Sequence, residues 1–311
     1  MNLQQLTYVI AIDRFRHFAR AAEHCSVTQP TLSTMVNRFE EEVGVKVFDR
    51  SRSPVIPTET GKLIIAQARR ILDEIEHLKH LAGEMSDQVE GELRLGIIPT
   101  VAPFLLPLFL SDLLTEHKKL KISISELTTS EIIAQLKTNS IDAGILATPL
   151  DQESIREIPL YNEPFVVYQG KNLAYNAEKY ITVKEINLDN LWLLEEGHCL
   201  RSQIATLCEL KKQKPMRSNL VYEAGSIDSL KRLVDFNNGV TILPLLAIRE
   251  FSKEEMASVQ YFKEPEPVRQ ISIVTYRHQL KERIVDVLQA MIREKVEPIL
   301  GNSKAVEILG I

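Results

Sequence analysis

From Leu93 onward, strand-like apolar runs alternate with helical patterns, and this alternation restricts the possible folds more than any other feature of the chain. The runs lie at 93–98, 121–127 and 141–146, and helical patterns begin between them near residues 101 and 130. Strands that alternate with helices are typical of a parallel sheet covered by helices. The sequence therefore predicts an α/β body of Rossmann-like type.

A second set of strands and helices follows the first. Strands are predicted at 165–168, 191–194, 220–223 and 240–243, and helices at 200–214 and 227–237. A strand at 271–276 and a last helix near 279–295 are expected to return to the first set. We expect two lobes, 91–163 plus 268–300 and 164–267, followed by a tail, 301–311, without an assigned structure. Ligands of such sheets bind in a cleft at the carboxyl ends of the strands.

The longest helical pattern precedes this body, in a linker and hinge predicted over 59–90. Its apolar positions advance by four and three residues, at Ile64, Ala68, Ile71, Ile75, Leu78 and Ala82. This spacing is that of a heptad seam and favours pairing of two chains. The alternative is one amphipathic helix that packs on its own chain.

The first 58 residues form a predicted helical domain. A short Ala-rich helix, a turn at 26–28 and a second helix that opens with Gln29-Pro30-Thr31 follow one another. Proline is tolerated in the first turn of a helix because its missing N–H has no partner there. Two interpretations fit this pattern: a helix-turn-helix that enters the major groove of DNA, or an ordinary helical hairpin.

The stretch 47–58 favours the helix-turn-helix. It resembles a short β-wing, with arginines placed to contact phosphates. Residues 1–58 carry seven of the 37 basic and six of the 42 acidic residues, a net charge of +1 in a chain of net charge −5. The predicted DNA contacts are Gln29, Pro30, Thr31, Ser33, Thr34, Arg38, Arg50 and Arg52.

Two of the three cysteines, Cys199 and Cys208, lie in one predicted helix. Cys199 is at its start, beside His198 and Arg201, and both unpaired N–H groups and a nearby cation stabilise a thiolate. A continuous helix would hold the two α-carbons roughly 13 Å apart, whereas a disulfide needs roughly 4.4–6.8 Å. The pair could bond only if the helix unwinds. Two interpretations stay open: a redox switch, or two small apolar core residues.

Other classes of chemistry find little support in the sequence. There is no phosphate loop, no cysteine and histidine set at zinc spacing and no GxSxG motif, so we expect no metal, no cofactor and no serine enzyme. The sequence also lacks a signal-peptide pattern and an apolar run that could span a bilayer. Three cysteines are too few for a disulfide scaffold, so we expect a reducing cytoplasm and no membrane.

Specific motifs carry a resemblance to a known family. In the head, Phe18-Ala19-Arg20-Ala21-Ala22, residues 27–33 and Phe48-Asp49-Arg50 resemble the LysR-type transcriptional regulators. In the body, Ile98-Pro99-Thr100-Val101 and residues 196–201 with Cys208 resemble the hydrogen-peroxide-sensing members of that family. The resemblance implies a winged helix-turn-helix, a long linker helix and two lobes like those of periplasmic binding proteins.

The resemblance also implies roles for single residues. Cys199 would be the peroxidatic cysteine and Cys208 the resolving one, which form a reversible disulfide. The residues implied around the peroxide are Thr100, Thr129, His198, Arg201 and Arg269. Two other roles stay open: the threonines could cap helices, and the arginine at 269 could form a surface ion pair.

The resemblance implies a regulator and not an enzyme. Its partners would be double-stranded promoter DNA, hydrogen peroxide, further copies of the chain in a homodimer or homotetramer, RNA polymerase and a cytosolic thiol reductant. One alternative is a LysR-type regulator that responds to a small-molecule inducer in the cleft between the lobes. A thiol peroxidase is a third possibility, but it leaves residues 1–58 without a purpose.

Overall fold

The computed structural model describes residues 1–52, 54–82, 89–150, 152–170, 179–210, 224–276, 281–301 and 306–310. The chain forms two compact units, one of residues 1–88 with 137–140 and one of residues 89–136 with 141–311. Among the described residues, no helix is long and apolar enough to cross a bilayer.

The first unit is a winged helix-turn-helix with a long helix after it. Its elements are α1 (Leu3–Phe15), α2 (Phe18–His24), α3 (Gln29–Val43), β1 (Phe48–Asp49), β2 (Ile56–Pro57) and α4 (Glu59–Ala82). Thr28 caps α3, since its hydroxyl accepts a hydrogen bond from the N–H of Thr31. β1 and β2 pair antiparallel and form the predicted wing.

The long helix α4 partly packs on its own chain. Ala68 is buried in the core of the head, and Ile64 and Ile71 pack against that core. Half of the predicted heptad seam therefore contributes to the head domain. The side chains of Leu78 and Ala82, which complete the predicted seam, lie outside the described residues.

The second unit is the predicted α/β body. It begins with β3 (Gly91–Ile97), α5 (Ala102–Glu116), β4 (Leu120–Glu126), α6 (Thr129–Lys137), β5 (Ala143–Thr148) and β6 (Ile155–Gln169). It continues with β7 (Tyr180–Ile181), α7 (Cys199–Leu207), α8 (Ile227–Asn237), β8 (Val240–Pro244) and α9 (Lys253–Met256). It ends with β9 (Val259–Phe262), β10 (Glu266–Tyr276), α10 (Glu282–Leu300) and β11 (Val306–Ile308).

Two long strands connect the halves of the sheet. β3 pairs in parallel with β4 and β5, as the alternating pattern predicts, whereas β10 runs antiparallel to β5 and β6. The far part of β6 pairs with β8 and β9. Because β6 has 15 residues and β10 has 11, each strand takes part in both halves.

Each half has its own hydrophobic core. The core of lobe I is built from β3, β5, α5 and α10, and the core of lobe II from the far part of β6, β8 and α8. The expected arrangement of two α/β lobes joined by crossing strands is confirmed. The exact domain limits stay a prediction.

Three predicted elements are absent from the structure, end early or fall outside the described residues, and the strands predicted at 165–168 and 271–276 are longer, as β6 and β10. Residues 191–194 make only isolated bridges, at Leu191 and Leu194, instead of a strand. The helix predicted over 200–214 ends at Leu207. Residues 211–223, which include the strand predicted at 220–223, lie outside the described residues. The tail, for which the sequence indicated no structure, contributes the strand β11.

Candidate functional site

The residues before α7 direct Cys199 to the start of that helix. Gly197 has φ +101°, a conformation that residues with side chains rarely adopt, so glycine suits this turn. His198 follows as the extended N-cap, and its side chain does not cap the helix. Cys199 is thus the first helical residue, where unpaired N–H groups favour negative charge.

The thiol of Cys199 is buried at the junction of the two lobes. Cys199 is 5 % exposed, and its side chain belongs to the hydrophobic core of lobe I, together with Val101 and Ala102 of the α5 start. Its neighbour Leu200 belongs to the core of lobe II. The first turn of α7 therefore contributes to both cores, which the helical pattern alone did not reveal.

Cys208 lies at the other end of the same helix. It is the C-cap of α7, its N–H donates to the carbonyl of Ile204 at 2.9 Å, and its side chain is part of the lobe II core. Burial raises the pKa of the Cys208 thiol to about 11, so this cysteine is protonated at neutral pH.

The helix between the two cysteines is continuous. Nine residues, Cys199–Leu207, are helical, so a rise of ~1.5 Å per residue places the two α-carbons roughly 13 Å apart. Both cysteines are free thiols. The separation is the one that the sequence predicts, and it exceeds the reach of a disulfide.

The C-terminal end of α7 contains a strained residue next to Cys208. Glu209 has φ 50°, and its N–H donates to the Thr206 carbonyl, while the N–H of Leu210 donates to the Ala205 carbonyl. This pair of bonds is a Schellman motif. A residue other than glycine in this left-handed conformation costs about 1 kcal/mol, and the helix ends at this turn.

A buried network joins Arg269 to Thr100. The Arg269 guanidinium donates from Nη1 to the Thr100 hydroxyl and from Nη2 to the Thr100 carbonyl, both at 3.0 Å. Its Nε donates to Glu163 Oε2 at 2.9 Å, and Glu163 Oε1 accepts from the N–H of Leu246 at 3.0 Å. Arg269 is 0 % exposed, so the possibility of a surface ion pair is wrong.

Two hydroxyl groups in lobe I lack hydrogen-bond partners in the described part of the chain. The buried Thr129 Oγ1 has none among the described residues, and neither has the Tyr161 hydroxyl. Thr128, not Thr129, caps α6, since its hydroxyl accepts from the N–H of Glu131 and its own N–H donates to the Glu131 carboxylate. The capping alternative for Thr129 is therefore wrong.

Tyr161 lies beside the buried network. It precedes Glu163 by two residues on β6, so the two side chains lie on one face of the sheet. Burial and the nearby Glu163 charge raise the pKa of Tyr161 well above its usual value. The hydroxyl therefore stays protonated and can donate a hydrogen bond.

His198 and Arg201 have contacts of their own. His198 is 8 % exposed, and its Nε2 lies 3.6 Å from Glu195 Oε1. Arg201 donates from Nη1 to the carbonyl of Leu194 at 2.6 Å. This bond ties α7 to the segment before it, so Arg201 has a structural contact besides its predicted role near peroxide.

Sequence reasoning missed Glu163 and Tyr161. Both lie in the long strand β6, and Glu163 pairs directly with Arg269 on β10. Because β6 also contains Arg156 and Glu157, no local pattern marks Glu163 as the buried charge. The register that brings Arg269 opposite it could not be read from spacing. The described residues hold no group of three or more His, Cys, Asp or Glu that could bind a metal ion.

The predicted DNA-contact face of α3 is largely open to solvent. Leu32, Val36 and Phe39 are buried, whereas five of the predicted contacts are exposed: Gln29, Pro30, Thr31, Thr34 and Arg38. Ser33 is half-buried. The Thr31 hydroxyl lies 2.8 Å from that of Thr28, within the N-cap.

The two arginines of the wing differ in their surroundings. Arg50 donates to the buried Glu40 carboxylate at 3.1 Å, and its guanidinium stacks over the Phe18 ring at 4.8 Å. Glu40 also accepts hydrogen bonds from the N–H groups of Val47 and Phe48. Arg52 is exposed and pairs with Asp49 at 3.4 Å. Arg50 therefore braces the wing, while Arg52 is accessible to a phosphate.

Comparison with known proteins identifies the class of this architecture. Residues 3–62 match the bacterial regulatory helix-turn-helix protein family of LysR type, and residues 86–297 match the LysR substrate binding domain. The chain belongs to the LysR family of transcriptional regulators.

Relatives within this family share nearly the whole chain. The hydrogen peroxide-inducible genes activator of Haemophilus influenzae is 32% identical over 307 residues, 98% of this chain and 100% of the relative. The DNA-binding transcriptional dual regulator OxyR of Escherichia coli is 33% identical over 274 residues, 88% of this chain and 89% of the relative.

Solved structures that are similar to this chain come from the same group of proteins. A full-length OxyR of Pseudomonas aeruginosa with cysteine replaced by aspartate has a TM-score of 0.81 and 31% identity, and the match covers 94% of this chain and 98% of that one. A cysteine-to-serine mutant of Corynebacterium glutamicum OxyR with bound hydrogen peroxide has a TM-score of 0.62 and 29% identity, covering 94% and 92%.

Proposed function

We propose that this protein is a DNA-binding transcriptional regulator that hydrogen peroxide switches through a reversible Cys199–Cys208 disulfide. One observation carries the proposal: the two thiols lie at opposite ends of one helix and pack in different cores. A disulfide between them requires α7 to unwind. Oxidation is thereby coupled to a change in the packing of both lobes.

The first chemical step is oxidation of Cys199. Its thiolate attacks one peroxide oxygen, so that an S–O bond forms and the O–O bond breaks. The sulfur loses two electrons and becomes a sulfenic acid, and the departing hydroxide takes up a proton to give water. The position of Cys199 at a helix start favours the anionic sulfur that this attack needs.

The second step is capture by Cys208. Its sulfur attacks the Cys199 sulfur, the S–S bond forms, and the S–O bond breaks. The hydroxide that leaves combines with the proton released by Cys208. While buried, Cys208 is a neutral thiol, so we expect capture to follow the unwinding of α7. A cytosolic thiol reductant then restores both thiols by exchange.

We place the peroxide among Thr100, Thr129, His198, Arg201 and Arg269. The Thr100 oxygen accepts from Arg269, and no described residue accepts the Thr100 hydroxyl hydrogen, which leaves it for a ligand. The Thr129 hydroxyl has no partner among the described residues. Hydroxyl donors of this kind can bind peroxide and the departing hydroxide.

The DNA-binding part of the proposal rests on the exposed polar face of α3 and on the wing. A promoter with two half-sites requires two DNA-binding heads, so we propose a homodimer that pairs through the linker helix α4. The heptad spacing of α4 supports this pairing. We also propose that two dimers form a homotetramer through their regulatory lobes. Contact with RNA polymerase in the cytoplasm completes the proposed role.

Titration with peroxide tests the proposal. Free thiols and promoter footprints are measured before and after oxidation in the unmodified protein, Cys199→Ser and Cys208→Ser. We expect loss of both thiols and a changed footprint in the unmodified protein, no change in Cys199→Ser, and a trapped sulfenic acid without a new footprint in Cys208→Ser. An equal response of Cys199→Ser would contradict the proposal.

The same samples separate the other candidate functions. A cleft-binding inducer would raise the melting temperature of fully reduced protein and act on Cys199→Ser as well. A thiol peroxidase would consume many equivalents of peroxide when a reductant is present. The proposed sensor consumes one equivalent per switching event.

A further inference from the structure

The C-terminal tail is docked into lobe II. β11 pairs in parallel with the first residues of β10, from Glu266 to Val268, and the N–H of Leu309 donates to the carbonyl of Val268 at 2.9 Å. The side chain of Leu309 is 5 % exposed and is part of the lobe II core. The tail is therefore an integral part of the lobe that holds Cys208.

The tail also holds the helix between the two cysteines. Gln203, four residues after Cys199, is 0 % exposed and donates from Nε2 to the carbonyl of Leu309 at 3.2 Å. The Gln203 Oε1 atom is buried without a partner among the described residues. The amide is fully buried, and within the described residues only its nitrogen is hydrogen-bonded.

This hydrogen bond resists the unwinding of α7. When the helix melts, Gln203 moves away and the Leu309 carbonyl loses its donor in a buried environment. A buried carbonyl without a donor is costly. This cost falls on the step in which Cys208 reaches Cys199, and it does not affect the attack on peroxide.

We infer that Gln203 and the tail strand form a latch that holds α7 in the reduced state and sets how readily the disulfide closes. This inference rests on the proposed function. Gln203 is a positioning residue, since it acts through the helix and not on the peroxide. The latch also reaches Val268, which directly precedes Arg269. Release of the tail therefore removes a hydrogen bond from the residue directly before the buried Arg269.

Two variants test the latch. Gln203→Met keeps an unbranched side chain of similar length and removes the donor, and a chain that ends at residue 305 removes the tail strand. Sulfenic acid formation is measured by stopped-flow with peroxide in the Cys208→Ser background, and disulfide closure in the presence of both cysteines. We expect closure about tenfold faster in each variant, which corresponds to about 1.4 kcal/mol, with sulfenic acid formation unchanged.

The equilibrium provides a second measurement. Because the latch stabilises the reduced form, its loss makes the reduction potential more negative, by about 30 mV for a tenfold change. The matched control is Ile308→Ser, on the same strand but 46 % exposed, which should behave like the unmodified protein.

The outcomes separate the latch from the proposed function. Closure rates and potentials that stay unchanged in both variants would overturn the latch, and so would an equal change in both chemical steps, which indicates general disruption. Failure of the unmodified protein to form any Cys199–Cys208 disulfide would instead reject the proposed function.

Discussion

Arg269 donates hydrogen bonds to both oxygens of Thr100, at 3.0 Å from Nη1 to the hydroxyl and at 3.0 Å from Nη2 to the carbonyl. The two residues are 169 positions apart in the chain. Their contact ties the crossing strand β10 to the turn before α5. The Thr100 hydroxyl oxygen accepts from the arginine, so the hydrogen of that hydroxyl points away from Arg269.

Glu163→Gln should lower the free energy of unfolding of the second unit by about 3 kcal/mol, because the buried Arg269 guanidinium loses its counter-charge. Glutamine keeps the shape, but its amide nitrogen cannot accept a hydrogen bond from Leu246 or Arg269, so the loss would come from charge and from one hydrogen bond. Urea unfolding followed by fluorescence of the single tryptophan, Trp192, measures it. Glu282→Gln removes an exposed ion pair with Arg156 and is the control, expected to change stability very little. Equal stabilities of the two variants would contradict this role of Glu163.

The free energy of unfolding should fall at alkaline pH because the buried Cys208 resists ionisation in the folded state. Burial raises the pKa of Cys208 from its ordinary value near 9 to about 11. A raised pKa means that the folded state holds the proton more tightly than the unfolded state. The resulting stabilisation is complete below pH 9 and is lost as the pH rises toward 11.

The comparison with Cys208→Ala isolates this contribution from lysines and tyrosines that titrate in the same range. Urea unfolding at pH 8 and at pH 10.5 should show a larger loss of stability in the unmodified protein than in Cys208→Ala. Identical losses in the two proteins would mean that Cys208 is not buried as a thiol in the folded state.

Tyr161→Phe should separate stability from reactivity. The variant removes a buried hydroxyl that has no partner among the described residues, so we expect stability to rise by about 1 kcal/mol or to stay unchanged. If that hydroxyl serves the peroxide site, oxidation of Cys199 should slow several-fold at the same time. Thermal unfolding and stopped-flow oxidation measure the two effects.

A matched result with Thr129→Val would strengthen this interpretation, since its hydroxyl is likewise unpartnered among the described residues. A loss of stability in Tyr161→Phe, with unchanged oxidation, would instead mean that the hydroxyl supports the fold through a buried water molecule.

Much of the architecture follows from local patterns in the sequence. The helix predicted at 227–237 has the same bounds as α8, and the strand predicted at 93–98 differs from β3 only at its ends. Apolar periodicity determines these elements, because each buries one face. The separation of the two cysteines was also predictable, since it depends only on helix geometry.

What could not be predicted depends on contacts between distant residues. The opposition of Glu163 and Arg269 requires the register of β6 and β10, which no local pattern specifies. α7 ends early because Glu209 adopts a left-handed conformation that favours glycine or asparagine. The docking of the tail was likewise hidden, since β11 is short and its strand partner is remote in the sequence.

Arg38→Ala and Arg50→Ala should affect different properties of the head domain: DNA binding in the first variant and stability in the second. Arg38 is exposed on α3, so its loss should weaken promoter binding about tenfold, reduce the slope of log affinity against log salt by about 1, and leave stability unchanged. Arg50 is bonded to the buried Glu40 and stacked on Phe18, so its loss should destabilise the head by about 1–2 kcal/mol. Fluorescence anisotropy with labelled promoter DNA in a salt series measures the first effect, and thermal unfolding by circular dichroism measures the second.

The salt dependence decides whether Arg38 contacts DNA. If Arg38→Ala binds DNA with the same salt dependence as the unmodified protein, α3 does not contact phosphates at this position. The predicted contact face would then have to be moved toward the first turn of the helix.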